Sequence, residues 1–187
     1  MKIGLGVTGS FCTFKNLLVA LTEIVDAGHD VVPVFSYVVS AFDTRFFKAK
    51  DFEDEIIRLT GKTPIKTIVE AEPMGTAKGV DLMLVAPCTG NTLAKIAHGI
   101  TDTPVTMAVK ATLRNNKPVV LSVSSNDALG ANARNIGTLL NTRNLFFVPF
   151  GQDAPVKKPN SLIADTSLIL PTCTKAIEGK QITPLFL

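Results

Sequence analysis

Short β-branched runs alternate along this chain with longer stretches in which apolar residues recur at helical spacing. That alternation constrains the fold more than any single motif, because parallel strands can be neighbours only if a crossover, usually a helix, returns the chain to the same sheet edge. Strands are expected over residues 2–7, 31–35, 81–86, 118–123 and 145–149. Between the first two, Phe14, Leu17, Leu18, Leu21, Ile24 and Val25 share a helical face, and Gly28 supplies a left-handed stop. Further helices are expected over 51–59, ended by Gly61, in a short piece around 65–71, over 92–98, ended by Gly99, and over 103–113, with Pro104 at the first helical position. Two more should run from Asp127 to about Asn141 and over 160–178, the last kinked or restarted by Pro171.

Pro33 lies inside the second strand, and a proline is tolerated best where no neighbour needs its missing N–H, at a sheet edge. A second strand at the edge beside the first agrees with the order 2-1-3-4-5. The expected fold is therefore α/β, a Rossmann-like or flavodoxin-like three-layer α/β/α sandwich around a parallel sheet of five to six strands. In such sheets ligands bind outside the carboxyl ends of strands one and three, where the strand order reverses. The site should come from the turns after Val7 and Ala86.

Composition narrows the chemistry. The chain has 187 residues without repeats or linkers, which suits one domain over 1–187. Its net charge of +3 is scattered along the sequence, so a nucleic-acid-binding face is not expected. Cys12, Cys88 and Cys173 form no CxxC pair, and His29 and His98 complete no ligand pattern, so neither a disulfide framework nor a metal site is expected. The N-terminus turns polar by Thr8, too early for a secretory signal, and no apolar run is long enough for a bilayer. A cytoplasmic protein with no membrane partner is expected.

After strand one comes Thr8-Gly9-Ser10-Phe11-Cys12-Thr13, leading straight into a helix. A helix start with hydroxyl side chains can cradle a phosphate, and Ser10 can equally well be a simple helix cap. Gly4-x-Gly6-x-x-Gly9 has the spacing of a dinucleotide fingerprint, but its first glycine falls inside the strand it should follow. The acidic residue expected after strand two is replaced by Val34-Phe35-Ser36, and no lysine follows the glycines, so neither an NAD site nor a P-loop is expected. After strand three comes Pro87-Cys88-Thr89-Gly90-Asn91-Thr92, a set of small uncharged donors at a helix start. Such donors suit a flat heteroaromatic ring with a polyol tail, although Asn91 or Thr92 could also be caps. Cys88 reads as a small buried thiol, and His29 and His98 read as structural.

Taken together, the Gly9-Ser10 turn and the Pro87 to Thr92 segment resemble the flavoprotein family of homo-oligomeric flavin-containing cysteine decarboxylases and flavin prenyltransferases. The resemblance implies FMN as cofactor, with Gly9 and Ser10 on its phosphate side and Pro87, Thr89, Gly90, Asn91 and Thr92 in contact with it. It also implies that Ser36 and the Ser124-Ser125-Asn126 turn approach the flavin, and that the chain forms a homo-oligomer. The segments Thr101 to Val105, Arg114 to Leu121, Asn126 to Gly130, Phe146 to Asp153 and Lys157 to Asp165 resemble one branch of this family, the B subunits of dipicolinate synthases of endospore-forming bacteria. That likeness implies a dihydrodipicolinate-type dicarboxylate substrate, oxidised to dipicolinate during sporulation, and a partner A subunit carrying an NAD(P)-type dinucleotide domain.

The chain departs from the decarboxylases in having no histidine after strand two, where Ser36-Tyr37-Val38-Val39-Ser40 stands, and Ser124-Ser125-Asn126 where they carry Pro-x-Met-Asn. It also lacks the basic residue that prenyltransferases carry after strand four. These departures speak against cysteine decarboxylation and prenyl transfer and leave no catalytic residue identified. A non-catalytic subunit that mainly organises the A subunit is the alternative, with a decarboxylase-like enzyme behind it. For a dicarboxylate, Arg45, Lys110, Arg114, Lys157 and Lys158 are the candidate cations. Lys157, Lys158 and Asn160 are favoured, because they lie in a loop from Gly151 to Pro159 long enough to fold over a site. Asp127 and Asp165 are candidate acid/base groups, and capping explains Asp127 as well. The apolar tail Ile182 to Leu187 should either meet a partner or fold back on its own domain.

Overall fold

The computed structural model describes residues 1–187. Strand β1 (Lys2–Val7) is buried from Ile3 onward, as a parallel strand covered on both faces must be. It pairs in parallel with β2 (Asp30–Phe35) on one side and with β3 (Leu82–Cys88) on the other. β3 in turn pairs with β4 (Val119–Ser125), and the first half of β4 pairs with β5 (Leu145–Phe147). The expected order 2-1-3-4-5 is thus present. The expected edge position of Pro33 holds as well: on the outer side of β2 the Ile65 N–H donates to the Pro33 carbonyl at 2.9 Å and the Ile65 carbonyl accepts from the Phe35 N–H at 2.8 Å.

Helices α1 (Phe14–Asp26), α2 (Tyr37–Ala41), α3 (Ala49–Thr60), α4 (Ile68–Ala71), α5 (Gly90–Ala97) and α6 (Pro104–Leu113) fill the connections between these strands. Gly28 and Gly61 follow α1 and α3 with φ of +80° and +68°, the left-handed stops that their positions suggested. Phe52 of α3 stacks on Phe14 of α1 at 4.1 Å between ring centroids and lies 5.7 Å from Phe35 of β2, joining two helices to the edge strand. Burying each of these rings contributes about 1.5–3 kcal/mol. They belong to one hydrophobic cluster of 44 buried residues that surrounds the sheet.

The last third of the chain differs from the reading of its sequence. The sheet has seven strands, because β6 (Phe150–Gly151) and β7 (Leu162–Ala164) form an antiparallel arm on the final two residues of β4, Ser124 and Ser125. The expected strand over 145–149 is therefore interrupted at Val148 and Pro149. The helix expected from Asp127 begins six residues later, as α7 (Ala133–Leu140). Asp127 instead closes the preceding turn, its carboxylate accepting hydrogen bonds from the Ala131 N–H and the Asn132 amide, both at 3.2 Å. Part of the expected 160–178 helix is strand, and α8 (Ile169–Ile177) begins only after it. Pro171 neither kinks nor restarts α8: it is the third residue, in the first turn, where an N–H has no partner within the helix.

The tail folds back. Phe150 N–H donates to the Leu185 carbonyl at 3.0 Å, Leu187 N–H donates to the Phe150 carbonyl at 3.1 Å, and the Phe186 ring meets Phe150 edge-on at 5.4 Å. No helix is long and apolar enough to cross a membrane.

Candidate functional site

β1 and β3 end side by side, so the two turns singled out in the sequence meet. Thr8 joins them: its buried hydroxyl donates to the Pro87 carbonyl at 2.6 Å and accepts from the Thr89 N–H at 3.0 Å. The Ala86–Pro87 peptide bond within this junction is cis. Thr89, rather than Asn91 or Thr92, caps α5, accepting from the Thr92 N–H at 3.3 Å, and the helix starts at Gly90. A side chain at Gly90 would stand 2.6 Å from both Ser125 Oγ and Asn132 Nδ2, which accounts for the glycine at this close approach.

Ser10 does not cap its helix. Its hydroxyl shares a 2.7 Å hydrogen bond with that of Ser124, at the end of β4 and 114 residues away. Ser36, at the end of β2, donates its N–H to the Val7 carbonyl at 3.0 Å, while its buried Oγ has no hydrogen-bond partner.

Two adjoining clefts open over these strand ends. The first, of about 500 Å³, is lined by Gly9, Ser10, Thr89, Gly90, Ser124, Ser125 and Asn126, together with Phe11, Cys12, Arg45, Phe46, Asp153, Lys158 and Ser161. The second, of about 360 Å³, shares Gly9 and Thr89 with the first and adds Ser36, Asn91 and Thr92, with Tyr37, Lys95 and Thr103. Of the flavin-contacting residues implied by resemblance, only Pro87 lies outside both clefts. It borders a small internal void of about 10 Å³, and its carbonyl serves Thr8.

The favoured cations separate. Lys158 lines the first cleft and is paired with Asp153 at 2.7 Å, whereas Lys157 and Asn160 line neither cleft. The Asn160 carbonyl accepts from the Leu129 N–H at 3.0 Å. Arg45 lines the first cleft with its guanidinium 4.8 Å from the centroid of Phe46. Lys110 and Arg114 border a different groove along α6.

Few groups in the clefts can carry protons. Asp153 is the one carboxylate among them, and the Lys158 ammonium, followed by the Ser161 hydroxyl, holds it below the usual carboxylate range. Asp165 is engaged as a cap, accepting from the Ser167 N–H at 3.0 Å. Burial pushes the Cys88 thiol far up and Cys173 up to about 12, so neither is a thiolate near neutral pH. His98 Nδ1 sits 2.8 Å from the Ala94 carbonyl at the end of α5, and His29 Nδ1 lies 3.2 Å from the N-terminal amine. No group of three or more His, Cys, Asp or Glu side chains could hold a metal.

Sequence reasoning missed Asp153, although this residue lies inside the loop it favoured, and assigned no role to Ser161, two residues beyond that loop. It also assigned no role to Phe11 and Cys12, which lie in the turn it marked after strand one, or to Phe46, for which no local signal exists.

Uncharged hydroxyl and amide donors are thus gathered at the switch point of a doubly wound sheet, the place where open α/β sheets bind their ligands. The chain belongs to the Flavoprotein family, whose model matches residues 1–166. It is 46% identical, over 98% of its length and 92% of the relative's, to the dipicolinate synthase B subunit of Bacillus subtilis (strain 168). The crystal structure of the dipicolinate synthase B subunit from Bacillus halodurans superposes with a TM-score of 0.91 at 41% identity, covering 100% of this chain and 95% of that one. The FMN-dependent cysteine decarboxylase SpaF shares the fold, with a TM-score of 0.72 at 20% identity over 96% and 97% of the two chains. The chain is thus a homologue of dipicolinate synthase B subunits.

Proposed function

We propose that the chain is the FMN-binding B subunit of a dipicolinate synthase, acting as one flavoprotein domain in the oxidation of a dihydrodipicolinate-type precursor to dipicolinate during sporulation. The observation that carries the flavin reading is the orphaned Ser36 hydroxyl. A buried hydroxyl without a partner costs about 1–3 kcal/mol, a cost removed when a bound polar group pairs with it. Ser36 lines the second cleft among hydroxyl and amide groups with Lys95 as the one charge, and the two clefts, which share Gly9 and Thr89, offer adjoining room for a ring and a phosphorylated tail.

In this reading Ser36, Asn91 and Thr92 flank one part of the cofactor, and Ser10, Gly90, Ser124, Ser125 and Asn126 flank the other. When bound, FMN supplies the two-electron acceptor that no side chain here can provide. The protein's own part is to orient the substrate, exclude water and leave the neighbourhood free of competing bases. The final oxidant would be an NAD(P)-type dinucleotide in its oxidised form, bound by a separate A subunit. The glycines of this chain support that division, since Gly4 and Gly6 lie inside β1 and cannot form a phosphate turn. Exposed Tyr37, Val38 and Phe42, on and just after α2, suit a homo-oligomer in which a neighbouring protomer covers them.

The purified protein should be yellow or should bind added FMN with micromolar or better affinity. No binding by absorbance and by calorimetry overturns the flavin reading. The absence of a free proton acceptor in the clefts favours a second reading, in which the chain mainly organises the A subunit. Unchanged activity of the two-subunit enzyme after Ser10→Ala and Asn91→Ala would support that reading instead.

A further inference from the structure

The first cleft carries charge in only one region, and that charge is arranged in an unusual way. Arg45 comes from the segment between α2 and α3, Lys158 from the loop between β6 and β7, and both line the same cavity. Everything else polar around them is uncharged except Asp153.

Arg45 makes no ion pair, whereas Lys158, the other cation of the cleft, has an Asp153 carboxylate oxygen at 2.7 Å. Its guanidinium lies over the Phe46 ring, which limits its motion and leaves the N–H fork open to a planar oxyanion. The backbone beneath it is ordered. Thr44 Oγ1 accepts from both the Phe46 and Phe47 N–H groups at 3.2 Å, and Asp43 accepts from the Ala49 N–H at 2.9 Å. Lys158 is ordered too, since its N–H donates to the Ala154 carbonyl at 2.7 Å and its carbonyl accepts from the Ser161 N–H at 3.0 Å. Its ammonium, however, is satisfied by a carboxylate from its own loop. The Lys158 and Asp153 side chains are 49% and 24% exposed, so the pair is open to solvent and to exchange.

We propose that Arg45 and Lys158 are the two carboxylate-binding residues of the substrate site, and that Asp153 occupies the Lys158 ammonium until a ligand carboxylate displaces it. This rests on the proposed function, with the dicarboxylate beside Arg45 and Lys158 in the first cleft and the cofactor beside Ser10, Gly90 and Ser124 to Asn126. A ligand with two carboxylates on a rigid ring engages both loops at once, whereas a monocarboxylate engages one. The clamp therefore selects by the number of carboxylates, and Arg45 gives the more directional of the two contacts because its fork matches both oxygens of one group.

The test is calorimetric titration of the full chain, with and without FMN, using pyridine-2,6-dicarboxylate and pyridine-2-carboxylate as probes. Wild type should prefer the dicarboxylate by about tenfold or more, and Arg45→Ala and Lys158→Met should each remove most of that preference. Asp153→Asn should tighten dicarboxylate binding several-fold, an increase that a merely structural aspartate would not produce. All three side chains are on loops outside the core, and thermal melts of the variants check that they fold. Retained preference in both cation variants, or weaker binding by Asp153→Asn, overturns the proposal. FMN binding is read from absorbance in the same samples. Wild type that binds FMN but does not prefer the dicarboxylate sinks the clamp alone, while the expected pattern without FMN binding sinks the flavin reading alone.

Discussion

Ser36 shows how much can depend on a single oxygen. Its backbone is tied to Val7, so the side chain cannot leave the strand end, and its Oγ is the one buried side-chain polar atom without a partner. Replacing it by alanine removes an unsatisfied group from the free protein and a hydrogen bond from the complex, and the two effects have opposite signs. Ser36→Ala should leave the melting temperature of the ligand-free protein unchanged or raised, while weakening FMN binding by about fivefold or more, as expected for one hydrogen bond. An absorbance titration beside a thermal melt checks both, and undiminished FMN affinity would remove Ser36 from the site. The position of Ser36 was readable as the residue after a strand, but its lack of a partner was not. The same limit separates Lys158 from Lys157. Neighbours in a loop look alike in sequence, and only the turn that carries Lys158 back to Asp153 points one of them at the cleft.

Among the elements, β1 explains why its glycine spacing misleads. A side chain at Gly4 would meet Met83 Sδ at 2.7 Å and Met74 Cε at 2.8 Å, and one at Gly6 would meet Val105 Cγ1 at 2.8 Å. These glycines let neighbouring side chains lie close on a central strand, a packing role that yields the same pattern as a phosphate loop. Gly6→Ala should accordingly cost about 1–3 kcal/mol of stability by overpacking, measured by denaturant unfolding, and leave FMN affinity near the wild-type value. A large loss of affinity in a still-folded variant would assign Gly6 to the binding turn. The arm of β6 and β7 was misread for a different reason. Leu162, Ile163 and Ile169 satisfy a helical period, and a strand of three residues is too short for alternation to compete with it. What makes Leu162–Ala164 a strand is its antiparallel pairing with Ser124 and Ser125, and with Phe150 and Gly151.

For the molecule as a whole, the tail closes the side of the sheet that this arm leaves open. Phe150 is almost fully buried, and part of its cover is Phe186, itself 66% exposed. Removing residues 182–187 uncovers Phe150 and frees both its N–H and its carbonyl, so the truncated chain should lose about 1–3 kcal/mol of stability. A melting temperature equal to that of the full chain would mean that the tail is only laid on the surface.

The alternation of apolar runs dictated the parallel sheet and Pro33 pointed to the order of its first five strands, because both depend on local sequence and on chain-crossing rules that act over one βαβ unit. The small uncharged residues of the two turns were likewise legible, since a turn is a local object. Which polar atoms meet depends instead on packing between segments remote in sequence. Ser10 reaches Ser124 across 114 residues, Thr8 reaches Pro87 across 79, and Arg45 comes to line the same cleft as Lys158, arrangements that no periodicity encodes. The orphaned hydroxyl, the displaceable ion pair and the antiparallel arm all come from that long-range packing, where the energy of each contact depends on what the rest of the fold brings beside it.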